Sequence, residues 1–359
     1  MHSIDDAVHA AGARVAHWLL HGPAQVAAGP HAGGVAGTLD AHLRPRYVYP
    51  EDTGYYLQWL AWRAAVHGAS EGLFRRAQAA QRWLHVWIDL PQPLTRIYLE
   101  APADDWRNRT RFTFDVAMAL RGLGTAVAHG LVHPDASVVS GLCRELATTI
   151  AADGVFDACV RSPGDDLPDR WSTRRGGFLL KAAAGILHAA QQLPQVPKEI
   201  VEVARATFDH GLLWALEAPH DEAHPLLYTF EGILGWPEHP RHHTMLREVV
   251  RQFEALLTLG EDDGRLPESR SHPDGPERVD VLAQTIRVGD LLRGIDDGIT
   301  PRRLRPLRQR LVDAVRPDGA VAFALQDARS LPNVWAAMFA SQALEGVEPA
   351  PRDAPPLIV

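Results

Sequence analysis

Cysteine is scarce, with two residues in 359, Cys143 and Cys159. The first falls inside an apolar-periodic segment and the second in a linking stretch, so no disulfide framework is implied and a reducing, cytoplasmic setting is the expectation. An uninterrupted apolar run of the roughly 20 residues that cross a bilayer is also missing. The N-terminal "MHSIDDAVHAAGARVAHWLLHGPAQ" has acids and histidines where a signal peptide needs a basic start and an apolar run, and it reads as an amphipathic helix. Membrane insertion is therefore not expected. Long Lys/Arg runs are absent too. The formal net charge is -8 and the densest basic stretch, "TPRRLRPLRQR", has helical spacing, which argues against a nucleic-acid partner. A Walker loop, a GxGxxG in strand context, a DxDD and a nucleophile-elbow serine are likewise missing. Period-two alternation, the mark of strands, is almost absent.

What is present is apolar residues at three- and four-residue spacing, block after block. The pattern predicts helices over 4–21, 51–67, 70–88, 112–129, 135–151, 172–192, 197–217, 224–236, 240–259, 279–293, 301–315 and 333–346. Short links with Gly or Pro ("VHGAS", "AHGLVHP", "QLPQVP", "GWPEHP") alternate with long ones over 22–50, 89–111, 152–171 and 260–278. A similar glycine turn recurs ahead of the helices that follow the long links: "AGGVAGTLD", "ADGVFDA", "DDGRLPES" and "PDGAVAFA". Helix, glycine turn, helix at intervals of roughly 50 to 60 residues is an array of hairpins. Six hairpins closing on themselves give an all-α (α/α)6 toroid, a single domain over 1–348 followed by a Pro-rich tail over 349–359. The helices after long links are apolar nearly all round and form the expected inner ring. The others carry a charged face and form the outer ring. The inner helices should start at one face, under the long loops, where a central pocket is expected.

The first two turns of the expected inner helices collect a mixed set of side chains. They are Glu51, Asp52 and Tyr55; Arg111 and Asp115; Trp171, Arg174, Arg175 and, deeper, Lys181; His224, Tyr228 and Glu231; Arg278, Asp280, Gln284 and Arg287; Asn333 and Trp335. Each has an ordinary reading. Acids in a first turn suit the helix dipole, and His224 before Pro225 suits a helix start. Asp115 and Asp280 lie past the cap in apolar helices, where a buried acid needs a partner. Trp171 and Trp335 read as core as readily as sugar platforms. Arginines at the same positive helix ends oppose the dipole, which is explained if they pair with the acids across the pocket or bind an anionic ligand. His220 and His224 are four apart, but Pro225 places the residues between them in a loop, so no metal is expected, and no cofactor either.

"YPEDTGYYLQWLAW" resembles the YPE-x-TGY start of bacterial polysaccharide-biosynthesis proteins with a squalene-cyclase-like (α/α)6 domain, the VpsJ-like group. "DGRLPES", "RVDVLAQTIRVG" and "LPNVWAAMFASQAL" resemble later repeats of that group. Asp52 departs from the group, where an apolar residue is expected. More distantly the pattern is similar to six-hairpin glycosidases, unsaturated glucuronyl hydrolases and N-acylglucosamine 2-epimerases. The resemblance implies a carbohydrate context.

The leading expectation is a carbohydrate-active enzyme working by general acid/base chemistry on a small saccharide or oligosaccharide, acidic ones among the candidates. As a glycoside hydrolase it would need two carboxyls about 5 to 5.5 Å apart for retention, or about 6.5 to 9.5 Å for inversion. Asp115 is then the acid and Asp280 or Glu51 the base, with Asp52 the alternative to Glu51. Arg111, Arg174, Arg175 and Arg278 would bind ligand charge, and Tyr55, Trp171 and Trp335 would stack on sugar faces. For epimerase or lyase chemistry His224 and Tyr228 become the proton-transfer pair. A terpenoid cyclase-like enzyme predicts an apolar lining with one protonating acid. A non-catalytic saccharide-binding protein predicts carboxylates all locked by arginines. Oligomeric state is not legible.

Overall fold

A computed structural model describes residues 4–90, 95–99, 106–160, 166–217, 219–326 and 330–346, without the side chains of 108 and 109. The expected tail over 349–359 lies outside the described residues, as does the side chain of Arg109. Twelve α-helices occur among the described residues: α1 Ile4–His21, α2 Pro50–His67, α3 Glu71–Ile88, α4 Thr113–Ala128, α5 Ala136–Ala147, α6 Leu179–Gln192, α7 Lys198–Glu217, α8 Ala223–Leu234, α9 His242–Thr258, α10 Val279–Leu292, α11 Pro301–Ala314 and α12 Val334–Glu345. Strand structure is confined to two-residue pieces, β1 Tyr47–Val48 with β2 Ile97–Tyr98, and β3 Arg111–Phe112 with β4 Cys159–Val160, both pairs antiparallel. None of the described helices is long and apolar enough to cross a membrane.

Each expected helical segment carries one helix, and two differ at an end for local reasons. The segment expected from 172 becomes α-helical only at Leu179. Trp171–Thr173 forms a 3-10 turn instead, in which the Thr173 hydroxyl donates to the Pro168 and Arg170 carbonyls at 2.8 and 2.9 Å, and Arg174 is extended. The glycine pair that follows loses the most entropy on entering a helix. Helix α5 stops at Ala147 because the Thr148 and Thr149 hydroxyls donate back to the Glu145 and Leu146 carbonyls, at 2.7 and 2.8 Å.

The chain forms two compact units. One holds the described residues of 25–37 and 45–219, with α2 to α7; the other holds those of 4–24, 38–44 and 220–346, with α1 and α8 to α12. In both, helices pair in chain order: α2 with α3, α4 with α5 and α6 with α7 in the first; α8 with α9, α10 with α11 and α12 with α1 in the second. In each pair one partner, such as α4 or α10, is buried on nearly every side, while the other, such as α5 or α11, buries a single face. The four glycine turns share one geometry. Gly33, Gly154, Gly264 and Gly319 have φ of 96°, 80°, 75° and 88°, a region a side chain opposes, and after Gly33, Gly154 and Gly319 the chain returns as a short antiparallel bridge.

In the first unit α2 and α4 touch backbone to backbone. A Cβ at Gly54 would lie 2.3 Å from the Met118 carbonyl oxygen, and one at Gly122 would lie 2.2 Å from that of Gly54. Such contact needs glycine on both helices, and it lets the first turn of α2 meet the first turn of α4. In the second unit α8, α10 and α12 pack together, and their first turns are led in by extended residues bridged to neighbouring turns, Glu222 to Ser269, Arg278 to Ala324 and Ala322 to Pro332.

Candidate active-site clusters

Some of the predicted site residues gather into one cluster per unit, and others are engaged elsewhere. In the first unit the cluster is acidic. Glu51, in the first turn of α2, is hydrogen-bonded by Tyr49, Tyr55 and the Asp115 carboxyl of α4. Burial raises the Glu51 carboxyl above its ordinary range, against the pull of these donors and of the Lys181 charge. Burial and the Glu51 charge hold Asp115 well above its range, so Asp115 carries the proton of the pair and donates it to Glu51. The Lys181 ammonium lies 4.8 Å from the centroid of the Tyr55 ring, and Tyr55 is fully buried. Asp52 is also fully buried, and neither of its oxygens has a hydrogen-bond partner among the described residues. Burial first, then the Glu51 charge, raises its carboxyl well above the ordinary range, against the pull of the Arg96 charge. Adjacent helical residues point apart. Glu51, and not Asp52, is therefore the acid hydrogen-bonded to Asp115.

The second cluster joins the starts of α8, α10 and α12. Asp280 receives Arg278 Nε and Nη2 at 3.0 and 2.6 Å, and Trp335 Nε1 at 3.1 Å. Burial would raise its carboxyl, but the Arg278 guanidinium overcomes this and holds it at about 2. Arg278 also reaches Glu268 at 3.0 Å and lies over the Phe323 ring. His224 Nδ1 is 2.6 Å from Gln284 Oε1 and 3.5 Å from Asp280 Oδ2, and its ring centroid is 4.3 Å from that of Tyr228. Two oxygens facing Nδ1 place the imidazole proton there and leave the lone pair on Nε2. Burial, helped by the Arg278 charge, lowers the His224 pKa to about 4, so the ring is neutral at neutral pH. Deeper, Glu231 receives Arg287 Nη2 at 2.6 Å and Gln284 Nε2 at 3.4 Å, and Arg287 donates to Gln342 Oε1 at 2.9 Å over the face of Phe339.

Other expected placements change. Three arginines expected to face the acids are engaged elsewhere. Arg111 pairs with Glu145 of α5 at 3.1 Å, Arg174 with the exposed Asp169 at 2.6 Å, and Arg175 with Asp153 and Asp157 at 2.5 and 2.7 Å. Arg174 and Arg175 meet carboxylates of the loops around them, nearer in the chain than the acids of α2 and α4, whereas Arg111 reaches across to α5 although Asp115 lies nearer to it in the chain. Trp171 packs edge-on against Phe178 at 5.1 Å, a core contact. Asn333 caps α12, accepting from the Ala336 amide at 2.8 Å. Glu231 pairs with Arg287. Gln342 and Glu268 were not anticipated. Gln342 had a sequence signal, an amide inside the apolar run "AAMFASQAL". Glu268 had none, since it lies in a loop. Among the described residues no three His, Cys, Asp or Glu side chains are grouped to hold a metal ion.

No protein-family model matches the sequence, and no curated protein matches it. Solved structures do match in fold. A cellobiose 2-epimerase from Spirochaeta thermophila is 14% identical with a TM-score of 0.62, over 96% of this chain and 97% of its own. An unsaturated glucuronyl hydrolase specific for heparin is 10% identical with a TM-score of 0.63, over 95% and 96%. A type II terpene cyclase from Scytonema is 13% identical with a TM-score of 0.59, over 95% and 97%. The fold class is that of the all-α (α/α)6 toroids.

Proposed function

We propose that the protein is a carbohydrate-active enzyme whose chemistry is proton transfer at a sugar carbon, of the epimerase or isomerase type, with His224 as the general base. The observation that carries this reading is the contact of His224 Nδ1 with Gln284 Oε1 at 2.6 Å, in a ring whose pKa burial lowers to about 4. An amide oxygen there calls for the ring's proton on Nδ1, which leaves the lone pair on Nε2 as the base. Taking the proton from the carbon beside an open-chain sugar's carbonyl makes the ring an imidazolium. Its Nδ1–H stays on Gln284, and the Asp280 carboxylate 3.5 Å away stabilises the new charge. Asp280 is a poor base in this scheme because Arg278 already holds it. Once the enediolate has turned its other face to Nε2, returning the proton to the same carbon epimerises it; returning it instead to the neighbouring carbon, with a proton passing from O2 to O1, interconverts aldose and ketose. A match in fold to a cellobiose 2-epimerase supports the class of substrate. A place in polysaccharide biosynthesis, suggested by the YPE-x-TGY start, belongs to the same proposal.

Incubation with cellobiose or D-mannose in deuterated water tests it. Deuterium should appear at C2, and His224→Asn should slow its entry by about 10²-fold or more. Absence of exchange in every reducing sugar tried would sink the assignment.

A second reading is favoured by Glu51 and Asp115. A carboxyl that burial and a neighbouring acid raise well above its ordinary range suits a general acid for glycoside cleavage. The two acids hydrogen-bond to each other, so they do not flank a bond as hydrolysis requires, and one would have to turn away on binding. Release of aryl leaving groups from a glycoside, lost in Asp115→Asn and kept in His224→Asn, would replace the first reading with this one. The charged clusters weigh against the terpenoid cyclase alternative. The purely binding alternative is weakened because burial outweighs the arginine charges at Asp52 and Asp115, whose carboxyls are raised, whereas Arg278 overcomes burial at Asp280.

A further inference from the structure

The second cluster contains a chain of polar groups in which each member leaves its neighbour one choice. Arg287 is fully buried and can only donate. Its Nη2 is 2.6 Å from Glu231 Oε1, and Glu231, also fully buried, is held as an acceptor. The other Glu231 oxygen faces Gln284, so the amide must turn its NH2 toward Glu231, at 3.4 Å, and its carbonyl away. That carbonyl meets His224 Nδ1 at 2.6 Å, so Nδ1 must carry the hydrogen. The chain crosses from α10 to α8, back to α10 and again to α8, and Glu231 lies two helical turns below the ring it acts on.

We infer that Glu231, oriented by Arg287, is a positioning residue that sets the direction of the Gln284 amide and through it the tautomer of His224. This deepens the proposed function and rests on it only for its catalytic meaning, because a tautomer is measurable without any substrate. The claim makes a specific demand of Glu231→Gln, which keeps the shape and removes one acceptor. Arg287 forces the new amide to present its oxygen to the guanidinium, leaving its NH2 toward Gln284. Gln284 must then turn over, its oxygen accepting from residue 231 and its NH2 facing the imidazole. Nδ1 becomes the acceptor, the hydrogen moves to Nε2, and the lone pair that would take a sugar proton is gone. The competing group is the Asp280 carboxylate, 3.5 Å from Nδ1 and already engaged by Arg278 and Trp335.

The test is nitrogen NMR of the full chain labelled in histidine, with the His224 signals identified by their loss in His224→Asn. The wild type should show the Nδ1–H form, and folded Glu231→Gln should shift His224 predominantly to Nε2–H. A wild-type Nε2–H form, or a folded Glu231→Gln that keeps Nδ1–H, would overturn the inference. Removing a buried charge next to Arg287 threatens folding, so Gln284→Met provides a second measurement. With the amide gone, His224 should populate both tautomers, whereas a wholly Nδ1–H ring there would show that Asp280 sets it. If the tautomer follows these rules but no sugar exchanges its proton, the positioning chain stands and the enzymatic reading falls.

Discussion

Glu51 and Asp52 are adjacent, identical in charge and opposite in circumstance. Glu51 is bound by three hydroxyl or carboxyl donors, while Asp52 is buried with neither oxygen hydrogen-bonded among the described residues. A neutral buried Asp has a folded pKa above its unfolded value. Its penalty is absent below the unfolded pKa of about 3.9 and grows as pH rises toward the folded value, where the unfolded chain binds fewer protons. Asp52→Asn, which needs no proton to be neutral, should therefore raise stability at pH 7 relative to the wild type. The gain should shrink toward pH 4, read from urea midpoints at the two pH values. An equal effect at both would mean that Asp52 is ionised in the folded protein. The neighbouring Glu51 is the one that reaches Asp115, a distinction no composition or periodicity could supply, because both residues sit in the same acidic first turn.

At the scale of the element, glycines decide which helices can touch. The Gly54 and Gly122 contact is an interlock of bare backbones, and it sets Glu51 beside Asp115 because each acid lies one turn before the residue at the crossing, Gly54 in α2 and Met118 in α4. Gly54→Ala puts a methyl 2.3 Å from a carbonyl oxygen that belongs to a helix and cannot step aside. The expected cost is about 1 to 3 kcal/mol or more, from overpacking, seen as a lower urea midpoint. The ring contacts around Glu51 should loosen at the same time. Gly72→Ala serves as the control, since a Cβ there meets nothing nearer than 3.8 Å and should leave stability unchanged or improved.

At the scale of the whole molecule, the two units share one vulnerability to acid. His188 of α6 in one unit and His224 of α8 in the other both have pKa values lowered to about 4, mainly by burial. The unfolded chain binds those protons from pH 6.5 downward and the folded chain does not, so each histidine makes stability fall as pH drops from about 6.5 to about 4. The buried carboxyls Asp52 and Asp115 act in the opposite direction over part of the same range. Single variants separate the two: His188→Leu should flatten the fall in urea midpoint between pH 7 and pH 4.5, and an unchanged slope would place that ring in its charged form.

The sequence by itself determined the number, class and approximate ends of the helices, because apolar spacing and glycine turns are local and each of the four turns must place its glycine at positive φ. It also determined which helices are buried all round, and it selected the first turns that carry His224, Asp280, Glu51 and Asp115. Only the tertiary structure decided the pairing. Arg287 found Glu231 across from α10 to α8, while Arg111 and Arg175 went to Glu145, Asp153 and Asp157; Arg278 and Asp280, two residues apart, pair locally. The physical reason is that a charge pairs with whichever opposite charge the packing brings within about 4 Å. That depends on crossings such as Gly54 against Gly122, and these are not encoded in the spacing of either helix alone.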